Sequence, residues 1–298
     1  MHNIALIGLG SMGQNHYRIL RALPNVNIVA LCDVVKNKEY TEPFYTDVDE
    51  MLDTAKPDAV IIVVPTFLHK EVALKCISRG IHIFIEKPAA SSVEDARIMT
   101  DAANEKGVKS CVGHVERFNP VVLALKAELE NKEIYSVSIT RVGPFPPRIA
   151  DVGVLTDLSV HDIDLIRFIT HRNILDKAIF KSQKIHDHHE DNAILAFKLQ
   201  DDIVADITTN WLTPFKKRTI EVACKESYFE ADLMTQLLNE YSAFNVNNSY
   251  VIRGCHIKKD EPLLLEVKAF MDYLESGDRG SLASIEDSII TLEIATQS

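Results

Sequence analysis

The sequence offers little sulfur chemistry. Its five cysteines, Cys32, Cys76, Cys111, Cys224 and Cys255, are scattered and form no C-x-x-C pair. That spacing argues against a disulfide framework or a cysteine-based zinc site, and predicts buried, reduced thiols in a cytoplasmic protein. An excess of positive charge is also missing: 32 Lys and Arg stand against 43 Asp and Glu, a net charge of −11. A general nucleic-acid binder or a protein that coats anionic membranes needs the opposite balance, so neither partner is expected. Any anionic ligand must be met by local Arg, Lys or backbone amides. The longest apolar stretch, residues 59–68, is too short to cross a bilayer and contains Pro65. The first strand has no basic segment ahead of it, so no signal peptide is expected. Internal repeats and low-complexity tracts are absent too.

What is present is an alternation of strands and helices. Residues 3–7, 27–33, 58–64, 81–85 and 108–113 read as strands, and 12–22, 67–79 and 92–106 as helices. The third strand is a continuous Val and Ile run, as expected for a strand buried on both faces. Ser92 followed by Asp95 reads as a helix cap, and Gly107 as the helix stop. The pattern changes near Asn119-Pro120. Helices are expected at 120–130 and 156–170, strands at 136–142, 178–185, 192–199, 203–211, 218–224 and 228–231, and two closing helices at 263–275 and 285–296. The fold class is therefore α/β: an N-terminal doubly wound parallel sheet of the Rossmann kind over residues 1–119. A C-terminal α+β domain with a largely antiparallel sheet follows over 120–298, for substrate binding and oligomerisation.

Gly8-Leu9-Gly10-Ser11-Met12-Gly13 follows the first strand and opens the first helix. A G-x-G-x-x-G in that setting is a dinucleotide-binding turn. Gly8 permits the tight turn, Gly10 lets the backbone approach a pyrophosphate, and Gly13 lets the helix pack on the sheet. The helix start at Ser11 and Met12 supplies N–H donors and partial positive charge. Asp33 ends the second strand 20 residues after Gly13. A carboxylate there accepts hydrogen bonds from ribose hydroxyls and repels a 2′-phosphate, so NAD is expected over NADP.

Glu86-Lys87-Pro88 sits at the carboxyl end of the strand 81–85, the edge where open α/β sheets bind ligands. Pro88 restricts the backbone of Lys87 and fixes its direction. A lysine so placed can bind a reacting oxygen or shuttle its proton. Asp157, His161 and Asp164 fall at i, i+4 and i+7, which predicts one helix face. Two carboxylates and an imidazole on one stripe can hold a proton acceptor near neutral pH. The competing reading is a structural histidine. The run His186 to Asp191 has the composition of a metal site but irregular spacing, and reads as a solvated loop with no metal. Trp211 reads as a packed strand end, and Lys216, Lys217 and Arg218 as a solvated strand start.

Taken together these landmarks resemble the glucose–fructose oxidoreductase and inositol dehydrogenase family. The matching pieces are the Gly8 to Gly13 turn, Val64-Pro65-Thr66 followed by His69, Glu86-Lys87-Pro88, and Asp157-x-x-x-His161-x-x-Asp164. The resemblance implies that Lys87 and His161 are catalytic with Asp157 as partner. It also implies that Val64, Pro65 and Thr66, with His69 and Glu86 beside them, serve the cofactor, and that Lys87–Pro88 is a cis bond. Family members commonly carry Gly two residues before the His, where this chain has Ser159. A narrower resemblance lies in residues 113–120, 141–144 and 151–154, which look like archaeal UDP-N-acetylglucosamine 3-dehydrogenases. It implies oxidation of a sugar C3 hydroxyl, with His161 taking the proton, Lys87 stabilising the oxyanion and NAD taking the hydride.

A substrate pyrophosphate would need cations, and Arg117, Arg141 and Arg148 border the expected cleft. Arginine is favoured there for its forked contacts. An inositol, a free sugar or a dihydrodiol as substrate, or a non-catalytic NAD-binding regulator, are the competing readings. The second sheet has an open face, so a homo-oligomer, dimer or tetramer, is expected.

Overall fold

The computed structural model describes residues 1–36, 38–146, 152–242 and 249–296. The chain divides into two compact units, Met1–Val115 with Leu263–Ile290, and Glu116–Pro262 with Thr291–Ser298.

The first unit is built on β1 (His2–Ile7), β2 (Val26–Cys32), β3 (Phe44–Tyr45), β4 (Ala59–Ile62), β5 (His82–Glu86) and β6 (Ser110–Gly113). They form one parallel sheet in the order β3-β2-β1-β4-β5-β6. All four residues of β4 are fully buried, which explains its unbroken apolar run. The order reverses between β1 and β4, so the carboxyl ends of the central strands open on a crevice. The connecting helices are α1 (Ser11–Ala22), α2 (Val48–Ala55), α3 (His69–Ser78) and α4 (Val93–Lys106). The Ser92 side chain accepts the Asp95 N–H at 3.1 Å and starts α4; Gly107, at φ +64°, ends it.

Two features of this unit depart from the sequence reading. Residues 44–55 hold a short strand and a helix capped by Asp47, too short to stand out by periodicity. The second departure concerns the domain division. The chain returns to the first unit over Leu263–Ile290, instead of staying in a block 120–298. The helix α7 (Pro262–Ser276) buries Phe270, whose ring meets Phe84 edge-on at 5.5 Å. Ala283, Ile285 and Ile289 join the same core as Ile85 and Val112. Apolar spacing shows that a helix has a buried face, but not which core receives it.

The second unit carries β7 (Ile134–Pro144), β8 (Ile174–Ser182), β9 (Asn192–Leu199), β10 (Val204–Asn210), β11 (Leu212–Cys224), β12 (Ser227–Asp232), β13 (Leu237–Ser242) and β14 (Ile252–Cys255). Their order is β14-β13-β12-β11-β7-β10-β9-β8, antiparallel except where β7 meets β10. The last two strands were not foreseen. The helices α5 (Pro120–Leu129) and α6 (Val160–Thr170) pack on its inner face. Val121, Leu125, Ile163 and Ile166 meet Val137, Ile139, Leu195, Ile207 and Ile220 there. The final helix, α8 (Ile285–Thr296), contains the boundary between the units.

Candidate active site

The glycine turn is dictated by space. Gly8 has φ +94°, and a Cβ there would stand 2.4 Å from the Val63 oxygen. A Cβ on Gly13 would stand 2.0 Å from the Gly8 oxygen, so α1 lies this close to the turn only with glycine at 13. Gly10 is different, because apart from its immediate neighbours in the chain nothing lies within 4 Å of where its Cβ would be. It is the N-cap of α1, it has no side-chain cap, and the first turn holds no acidic residue. The helix start at Ser11, Met12 and Gly13 therefore keeps its positive end for an anion, with open room beside Gly10 for a pyrophosphate. Asp33, one residue beyond β2, accepts the Leu9 N–H at 2.5 Å. That bond ties the acid to the glycine turn, where a carboxylate meets ribose hydroxyls. The residues present fit NAD.

The next two strands end in segments that are joined to each other. Val64-Pro65-Thr66 follows β4, and a 3₁₀ turn over Thr66–Leu68 precedes α3. His69 is buried, with Nδ1 2.9 Å from the Pro88 oxygen and Nε2 2.8 Å from the Val64 oxygen. Burial lowers its imidazole pKa, against the pull of these carbonyls. The ring thus clips the chain after β4 to the chain after β5, and both its nitrogens face main chain. Glu86 is also turned inward. Its Oε1 lies 2.7 Å from Nε2 of the fully buried His16, and its Oε2 accepts the Lys87 N–H at 3.2 Å. Neither side chain is thereby directed to a cofactor as its first partner; both hold the turn that presents Lys87. The Lys87–Pro88 bond is cis, as the resemblance implied.

In the second unit the expected helix 156–170 is in two parts. Leu155–Ser159 is a π-helical turn, and α6 proper begins at Val160. The i, i+4, i+7 spacing does not yield one exposed stripe, and the division falls within α6, between His161 and Asp164. Asp157 and His161 are partly exposed, whereas Asp164 is buried. Ser159 is fully buried as well, so its hydroxyl does not stand on the exposed side of the turn.

Asp164 accepts Arg117 Nε at 2.7 Å and Nη2 at 2.5 Å in a forked pair. Arg141 donates through Nε to Asp162 at 2.8 Å and through Nη1 to Glu116 at 2.9 Å. The expected roles of Arg117 and Arg141 therefore need correction. Both guanidiniums are buried and their charge is committed to carboxylates of the same unit, which leaves none to offset a substrate pyrophosphate. Arg148 lies outside the described residues. Arg218, read from the sequence as part of a solvated strand start, instead donates through Nη1 to Glu116 at 2.9 Å, and its charge feels Asp157. The signal is the cross-strand register Arg218 to Arg141, which only the folded sheet supplies.

Electrostatics follow from this burial. Burial pushes the Asp162 carboxyl up to about 6, with Arg141 pulling it back. Glu116 is equally opposed by burial, yet Arg141 and Arg218 hold its carboxyl below the usual range. The loop read as solvated is partly interior: His186 and Asp191 are buried, and the Asp191 carboxylate accepts the N–H groups of Lys184, Ile185 and His186. Among the described residues no cluster of three His, Cys, Asp or Glu is arranged to hold a metal ion.

Two family models match this chain. Residues 2–114 match the oxidoreductase family with an NAD-binding Rossmann fold, and residues 133–230 match the GFO/IDH/MocA C-terminal domain. The chain belongs to the GFO/IDH/MocA oxidoreductase family. It is accordingly an NAD-dependent dehydrogenase. One relative is the scyllo-inositol 2-dehydrogenase (NAD(+)) of Bacillus subtilis, 26% identical over 97% of this chain and 91% of its own. Another is the UDP-N-acetylglucosamine 3-dehydrogenase of Acidithiobacillus ferrooxidans, 27% identical over 79% of this chain and 75% of its own. That organism is not an archaeon, unlike the source named in the narrower resemblance. A solved structure of the Acidithiobacillus enzyme superposes with a TM-score of 0.90, at 23% identity over 99% of this chain and 96% of that one. At that identity the likeness shows a shared GFO/IDH/MocA fold.

Proposed function

We propose that this enzyme oxidises the C3 hydroxyl of UDP-N-acetylglucosamine to a ketone. The observation that carries the reading is how the start of α6 is partitioned. Asp162 and Asp164 are buried against arginines, while Asp157 and His161 keep exposed surface. Asp157 and His161 thereby keep surface open to a ligand, with the Arg218 charge acting on Asp157. The likeness to the Acidithiobacillus relative supports the substrate class. Bound NAD supplies a hydride acceptor. His161 takes the hydroxyl proton, Asp157 steadies the imidazolium, and Lys87, presented by the Glu86–His16 and His69 contacts, stabilises the oxygen as its charge grows. A second reading, oxidation of an inositol, is favoured by the Bacillus relative, which matches nearly the whole chain. NADH formation with UDP-N-acetylglucosamine, scyllo-inositol and myo-inositol decides between them. Turnover is expected on the nucleotide sugar; turnover on the inositols alone would overturn the first reading.

The same reading has Asp33 select NAD. Asp33→Ser should shift the NAD to NADP preference by about tenfold, equivalent to about 1.4 kcal/mol of lost repulsion toward a 2′-phosphate. The ratio of kcat/KM for the two cofactors measures it, and an unchanged ratio would remove Asp33 from cofactor choice. We further propose a cytoplasmic homo-oligomer. Phe180, Ile194 and Val204 are exposed on β8–β10, an apolar face suited to a second copy.

A further inference from the structure

The helix start that carries Asp157 has no cap of its own. Val154 precedes the π turn in helical conformation, and no side chain of the turn caps it. The first N–H groups of a helix need acceptors from elsewhere. Here one residue of a distant loop supplies two of them. The Glu190 main-chain oxygen accepts the Val154 N–H at 3.0 Å. Its side-chain Oε1 accepts the Leu155 N–H at 3.2 Å, across 35 residues of sequence. The carboxylate lies directly on Gly153, where a Cβ would stand 2.2 Å from Oε1 and 2.3 Å from Cδ. Glycine at 153 is what lets this acid reach the helix, and Gly153 in turn accepts the Asp157 N–H at 3.0 Å.

Glu190 is itself held firmly. The neighbouring Asp191 is buried and gathers the N–H groups of Lys184, Ile185 and His186, while its own oxygen accepts the Trp211 N–H at 2.9 Å. His186 Nδ1 accepts the N–H groups of His188 and His189 at 3.1 and 3.0 Å, and its ring is stacked with Trp211. The histidine-rich run is therefore a folded platform from which Glu190 reaches out to the helix.

We infer that Glu190 is a positioning residue for the reaction, setting the place of Asp157 and His161 by capping the π turn through Gly153. The inference rests on the proposed role of that pair. Glu190→Ala removes the side-chain acceptor, and a shift of about 1 Å in a reacting group costs on the order of 10²-fold in rate. A kcat loss of about 10- to 100-fold is expected, with the KM for NAD unchanged. Glu190→Gln keeps an oxygen at the same place and should retain most of the turnover. Gly153→Ala should harm wild type, because its methyl collides with the carboxylate, but should cost nothing more in the Glu190→Ala background.

Wild-type kcat in Glu190→Ala, additive losses in the double variant, or equal losses in Gln and Ala would each overturn the inference. Amide exchange at Leu155 provides a readout independent of substrate: Glu190→Ala should speed it and Glu190→Gln should not. If wild type turns over none of the sugars or inositols, the functional reading fails while exchange still decides the positioning. If Glu190→Ala does not fold, Glu190→Gln carries the test, and loss of both protection and turnover in it overturns the inference.

Discussion

His161→Ala should lower kcat by about 10²- to 10⁴-fold and leave NAD affinity where it is. The range is that of a positioned proton acceptor removed from a transition state in which an oxygen loses its proton as the attached carbon loses hydride. The residues that fit the dinucleotide, Gly8 to Gly13 and Asp33, lie in the first unit, and His161 lies in the second. The two readouts should therefore separate. Truncation at 161 removes a partly exposed ring at the start of α6, whose apolar anchors Ile163, Leu165 and Ile166 are untouched. Thermal stability should move little. Stopped-flow NADH appearance at saturating sugar gives kcat, and fluorescence titration gives NAD affinity. Turnover equal to wild type would take His161 out of the chemistry, while equal loss of NAD binding would point to a misfolded variant.

The parts legible in the sequence were those in which cause and effect lie close together in the chain. The glycine turn is short, and its spacing to Asp33 is fixed by one helix and one strand. The cis Lys87–Pro88 bond came with the motif. The parts that stayed hidden depend on partners far away in sequence. Nothing near Arg141 says that Asp162 and Glu116 will surround it. Nothing near Arg117 says that Asp164 will fill its fork, so both arginines looked available for a ligand. The π turn escaped because it occupies only Leu155–Ser159, and the apolar spacing beyond it, in α6, is that of an ordinary helix. The run from His186 to Asp191 looked solvated on composition, yet its acids hold amides of their own loop and of a helix 35 residues earlier. Charge in this chain is read correctly only once register and burial are known.

The largest stability effect expected follows from the same network. Arg141→Met should destabilise the protein by about 3–5 kcal/mol, the range for breaking a buried ion pair by removing one partner. The Arg141 side chain is 4% exposed and that of Asp162 is fully buried, so solvent cannot replace the lost cation. Glu116 keeps Arg218 at 2.9 Å; Asp162 is left with a carboxylate facing a thioether. Burial already pushes that carboxyl up to about 6 with Arg141 beside it, so without the guanidinium it moves higher and takes up a proton near neutral pH. The sign of the pH effect follows. A carboxyl whose folded pKa lies above its unfolded value of about 3.9 binds more protons when folded, so stability falls as pH rises between the two values. Arg141→Met should thus lose least near pH 5 and most above neutrality, as read by urea unfolding at each pH. Arg141→Met combined with Asp162→Leu removes the orphan charge as well as its partner, and should be more stable than Arg141→Met alone. If the double variant is instead less stable than the single by the full cost of a second core substitution, the damage comes from packing volume and not from the unpaired carboxylate.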